Sequence, residues 1–121
     1  MSIIDFERWE TAQGLYDVLV LDVDKEARND YMISLYCLGV DEGYVAQAAD
    51  LGLHNGISPR QMANQVWDVE IDYCYAVKEV GRHFGKQLVV NSDIRNNLIL
   101  ADLFGRESVG KRLFDLVEER F

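Results

Sequence analysis

Nucleophilic chemistry in this 121-residue chain is limited by its two histidines and two cysteines. His54 lies in LHNG and His83 in GRHFG. A catalytic dyad needs one of them against Cys37, Cys74 or a serine, and the spacing brings none of these together. The first histidine reads as part of a surface turn and the second as a cation at a helix end. Cys37 in SLYCLG and Cys74 in DYCYAV have apolar neighbours, so both read as buried free thiols rather than a disulfide. Neither belongs to a C-x-x-C pair, which removes the usual zinc signal. Glu70 is the odd carboxylate. Helical spacing puts it between Val77 and Cys74, inside an apolar arc, where a lone charge is too costly to leave unpaired. It is the buried-carboxylate candidate, with Arg28 or Arg95 as the expected partner.

The densest acids lie earlier, at Asp17, Asp22 and Asp24. VLVLDVDK, residues 18–25, resembles the D-x-D nucleophile motif of haloacid-dehalogenase-type phosphotransferases over those eight residues. That likeness implies one aspartate as nucleophile and the second as acid/base. The chain departs from the motif at Lys25 and Glu26, and no later strand carries the threonine, lysine and acidic pair that hold phosphate and magnesium. An EF-hand reading of Asp22, Asp24 and Glu26 fails as well. Ala27 stands where that loop needs glycine, and Ile33 where it needs a bidentate glutamate. We therefore expect no catalytic residues, no cofactor and no metal site, and a protein that is not an enzyme. An unrecognised small enzyme is the third-ranked reading, and it would require a cleft joining Glu70, His83 and a cysteine.

Charge says more about partners than about catalysis. The 21 acids against 12 bases give a net charge of −9. Residues 1–58 hold 11 acids and only Arg8, Lys25 and Arg28 as bases; residues 59–121 hold 10 acids and 9 bases. A surface of that sign repels phosphate backbones and attracts basic protein surfaces. Direct nucleic-acid binding is not expected. AADLGLHNGISPRQMANQV does join two helices through glycine. Its link from Gly52 to Ser58 is long for a helix-turn-helix, however, and its second helix offers a groove mainly Arg60. No apolar run approaches a membrane span, and Met1–Glu10 lacks the basic start and apolar stretch of a signal peptide, so the expected location is the cytoplasm and no membrane partner is expected.

The elements that position these residues follow from punctuation and period. LGV, LGL, FGK and FGR place Gly39, Gly52, Gly85 and Gly105 just after apolar segments, where a left-handed residue closes a helix. Ser2, Asp24, Asp41, Ser58 and Ser92 are the matching N-cap candidates. Ser58-Pro59-Arg60-Gln61 is the most specific start: proline at the first helical position and an S-x-x-Q capping box. From there Met62, Val66, Val69, Tyr73, Ala76, Val77, Val80 and Phe84 share one face at about 100° per residue. Asp68, Asp72, Tyr75 and Glu79 share the opposite one. Shorter faces recur at Ala27, Tyr31, Leu35 and Leu38; at Tyr44, Val45, Ala48 and Leu51; at Ile94, Leu98, Ala101 and Phe104; and at Val109, Leu113, Leu116 and Val117. The stretch 16–23 alternates and is β-branched, yet Phe6, Trp9, Tyr16, Leu19, Val20 and Val23 keep helical spacing. Helix is the reading adopted, because the only strand partner on offer is the short LVV at 88–90.

The fold expected is a single all-α domain: a compact bundle of five to six helices around a long central helix at about residues 58–84, with mixed crossing angles. The function expected is a small acidic protein-binding module. It would dock a basic partner, such as a nuclease or other nucleic-acid-binding protein, as toxin-immunity proteins and phage or plasmid counter-defence inhibitors do. Asp68, Asp72, Tyr75 and Glu79 form the expected contact surface, with Asp17, Asp22 and Asp24 as a second cluster. Thirteen aromatics support an alternative, a homo-oligomerising or accessory helical subunit that buries Trp9, Trp67 or Phe121.

Overall fold

The computed structural model describes residues 25–120. Asp17, Asp22, Asp24, Ser2, Trp9, Phe121 and the stretch 16–23 lie outside them. The described residues form five α-helices and no strand: α1 (Lys25–Cys37), α2 (Val45–His54), α3 (Pro59–Phe84), α4 (Ser92–Leu103) and α5 (Val109–Arg120). The all-α class and the long helix agree with the sequence. Contacts divide the chain into two compact units, with the boundary inside α3 between Trp67 and Asp68.

The long helix begins as its sequence dictates. Ser58 Oγ accepts from the Gln61 amide at 3.3 Å, and Gln61 Oε1 accepts from the Ser58 amide at 3.3 Å, so two amide donors of the first turn are satisfied reciprocally. Two other starts differ from expectation. Asn91, not Ser92, caps α4, its Oδ1 accepting from the Ile94 amide at 2.9 Å. Asp41 accepts from Gly43 within a turn before α2 and does not cap the helix. In α5, Ser108 Oγ accepts from Lys111, while Asp102 Oδ2 takes the Val109 amide at 2.9 Å.

Four helices end on a glycine of positive φ, at Gly39, Gly56, Gly85 and Gly105. Each is followed by an amide that reaches back five residues: Val40 to Leu35, Ile57 to Gly52, Lys86 to Gly81 and Arg106 to Ala101. This is the Schellman arrangement, which satisfies carbonyls the last turn leaves open. The sequence reading chose Gly52 where the structure uses Gly56. Gly52 lies inside α2, and a Cβ there would stand 2.6 Å from the Tyr31 Cζ. Glycine at 52 therefore serves close helix approach, not termination. One consequence concerns the helix-turn-helix reading. The α2–α3 connection spans residues 55–58, a short link, so only the charge of α3 argues against DNA recognition.

Within residues 25–67, α1 packs on α2 and the buried residues include Tyr31, Leu35, Val40, Tyr44, Ala48, Met62 and Val66. Ala27 and Leu38 were expected on the same face as Tyr31 and are exposed; Ala27 lies in the first turn of α1 and Leu38 just beyond its last residue, and the buried residues of the helix are Tyr31 and Leu35 between them. Tyr31 donates its phenol to the Ile57 carbonyl at 2.5 Å, and burial pushes its pKa up to about 12. Arg28 grips the buried Asp50 with two hydrogen bonds, Nε to Oδ1 at 2.7 Å and Nη2 to Oδ2 at 3.2 Å. Within residues 68–120, α4 packs on α5, with Val69, Ala76, Val80, Ile94, Leu98, Ile99, Leu100, Val109, Leu113 and Val117 buried. Buried Asn97 accepts from Arg112 Nε at 3.2 Å, and Arg112 also pairs with Glu107 at 3.2 Å. Among the described residues no helix is long and apolar enough to cross a membrane.

Candidate functional site

The outward side of α3 is where the sequence places its acids and the structure exposes them. Asp68, Asp72, Tyr75 and Glu79 are all solvent-facing, Tyr75 being 65% exposed. The inward side is as periodicity requires: Met62, Val66, Val69, Ala76 and Val80 are buried, with Tyr73, Val77 and Phe84 half-buried. Burying one stripe over seven turns leaves the opposite stripe no role in the core.

Two features of that face were not read together in the sequence. Ile71 is exposed about one turn before Tyr75 along the i, i+4 row, and Trp67, 65% exposed, stands about one turn earlier on the same helix. A spacing of four lines these rings and the isoleucine beside Asp68 and Asp72. The signal was visible as W-x-x-x-I-x-x-x-Y, but the carboxylates beside it drew the reading. Glu79 also accepts from Arg82 Nη1 at 2.9 Å, a pair exposed on both sides. The net negative field of the stripe therefore comes chiefly from Asp68 and Asp72.

The remaining candidates are placed as follows. Glu70 is half-buried at the edge of the apolar face, and among the described residues it makes no ion pair. Arg28, one of its expected partners, is committed to Asp50, and Arg95 donates to Asn96 Oδ1 at 3.3 Å. Cys37 and Cys74 are free, as expected, but both are exposed, not buried. The physical reason is angular. Cys74 lies round the helix beyond Val77 and Glu70, so the buried arc stops short of it, and Cys37 is the last residue of α1, two beyond buried Leu35. His83 stacks among rings, 4.9 Å from Phe84 and 5.0 Å from Phe114 by centroids. Burial raises the Tyr73 phenol pKa, the Arg95 charge lowers it and the neighbouring Cys74 thiol adds to the rise. Among the described residues no three His, Cys, Asp or Glu side chains gather as metal ligands would.

No protein-family model matches the chain, and comparison with curated proteins and with solved structures finds no match.

Proposed function

We propose that this protein is a binding module whose long helix docks a basic protein surface through Asp68, Asp72, Tyr75 and Glu79. The carrying observation is an exposed ring set among exposed carboxylates on a helix whose other face is buried. Carboxylates steer and orient a cationic partner, while Tyr75 and Ile71 supply contact area that is desolvated on docking and, for the ring, cation–π attraction to Arg or Lys. A nuclease or another nucleic-acid-handling protein has the required chemistry, because its active surface is built to receive phosphates. An inhibitor that offers carboxylates in their place fits the acidic balance of this chain, −9 overall. The cytoplasm, where such targets work, is the proposed location, and the mode of action is occlusion rather than catalysis.

The test is affinity capture from the native host at low and high salt, with mass-spectrometric identification, using wild type and Asp68→Lys/Asp72→Lys. The reading expects a basic partner that is released as salt rises and is not held by the charge-reversed protein. A partner retained equally by both proteins, or at all salt concentrations, would overturn it.

A second reading is favoured by one observation, the line of exposed Trp67, Ile71 and Tyr75. An apolar stripe of that kind also suits self-association, which buries the same rings against a copy. Sizing chromatography separates the two: self-association persists at high salt, and Tyr75→Lys abolishes it.

A further inference from the structure

Away from the acidic face, residues 86–91 and helices α4 and α5 enclose a groove of about 370 Å³. Its floor is apolar: Ile94, Leu113 and Val117 are buried beneath it, and Leu88, Val90 and Leu116 form half-buried walls. Val89 projects from the connection at 94% exposure. Arg120 and Lys86 stand at the rim.

The charge around this groove runs against the composition of the chain. A second, shallower depression shares Lys86, Gln87 and Leu88 with it and is also lined by Lys78 and Arg82. Among the described residues lining the two depressions there are four bases and no acid. Overall, acids outnumber bases 21 to 12, so an arrangement blind to charge would have set mostly carboxylates there. Arg82 is partly neutralised by Glu79, and Lys86 makes a further interaction of its own. Lys78 lines only the shallower depression, so Arg120 is the principal anion-recognising group of the groove.

Size decides what fits. A small molecule does fit, since ligand pockets begin near ~300 Å³. We propose that the groove binds a free medium-chain carboxylate, with its aliphatic tail on Ile94, Leu113 and Val117 and its head group held by Arg120. This site is separate from the α3 docking face and stands or falls without it.

Sodium octanoate titrated into the ¹⁵N-labelled full chain tests the assignment, with octylammonium chloride as the opposite-charge comparator. The expected result is saturable amide shifts confined to residues 86–94 and 113–120, with octylammonium at least tenfold weaker. Arg120→Glu should weaken octanoate at least tenfold, and Leu116→Trp, which fills the groove from a half-exposed wall, should abolish the shifts. The rest of each variant's spectrum reports that its fold is kept. Non-saturating shifts, shifts centred elsewhere, equal binding of the two amphiphiles, or an unchanged affinity in Arg120→Glu would overturn the proposal.

Discussion

Removing Arg28 should cost more stability than removing Asp50, although the two share the same bonds. Asp50 is 2% exposed, whereas the Arg28 side chain keeps 31% of its surface in water. In Arg28→Met the aliphatic stem is largely replaced, but a carboxylate that is 2% exposed stays behind without its counter-charge. Breaking a buried pair in that direction costs about 3–5 kcal/mol, and the open side of this site argues for the lower end, roughly 3 kcal/mol. In Asp50→Ala the freed guanidinium can turn toward water. The loss is then that of two hydrogen bonds at about 1 kcal/mol net each, because the guanidinium regains water, less a few tenths recovered because alanine favours a helix more than aspartate does. The double variant should resemble Asp50→Ala, so the pair should show a coupling energy equal in size to the Arg28→Met loss, about 3 kcal/mol. Urea unfolding at neutral pH, read by far-ultraviolet circular dichroism, measures all four corners of the cycle. Equal losses in the two single variants would refute the reasoning. So would a double variant as unstable as Arg28→Met, because Arg28 would then act through its stem and its other contact rather than through Asp50.

Other consequences are as direct. Gly52→Ala should destabilise by roughly 1–3 kcal/mol despite alanine's helical preference, because its methyl collides with the Tyr31 ring; a thermal melt no lower than wild type would remove the close-approach account. Asn91→Ala should cost about 1 kcal/mol and Ser92→Ala a few tenths, the reverse of what the sequence alone suggests. Stability should fall in alkali. The Tyr31 phenol is ordinarily half-ionised near pH 10 when unfolded and near 12 when folded, so its contribution is intact below pH 10 and drains away between pH 10 and 12. Tyr31→Phe should flatten that part of the pH–stability profile while losing the bond to Ile57, and a slope left unchanged would show that another group is responsible.

The helices were legible because short-range rules govern them. Ser58, Pro59 and Gln61 announce the start of α3, and its buried and exposed stripes follow from period alone. What escaped the sequence was settled by tertiary geometry. Gly52 and Gly56 look equally fit to close α2; only the approach of Tyr31 shows that the first is reserved for packing. Asn91 and Ser92 are both good caps one residue apart, and the turn after α3 decides between them. The Arg28–Asp50 pair joins residues 22 apart and has no local signature. Cys74 was misjudged because its sequence neighbours are apolar, whereas the buried arc thins through half-buried Val77 and Glu70 and ends before it. The exposed carboxylates of the docking face were visible in advance, while the groove beside residues 86–91 depends on how a connection lies against two helices.

The placement of the sulfur atoms has a practical consequence. With Cys37 and Cys74 both open to solvent, molecular oxygen will join separate chains through thiols during storage. Such covalent pairs run as larger species at any ionic strength and would imitate a native homodimer, so size measurements on this protein require a reductant or a Cys37→Ser/Cys74→Ser background.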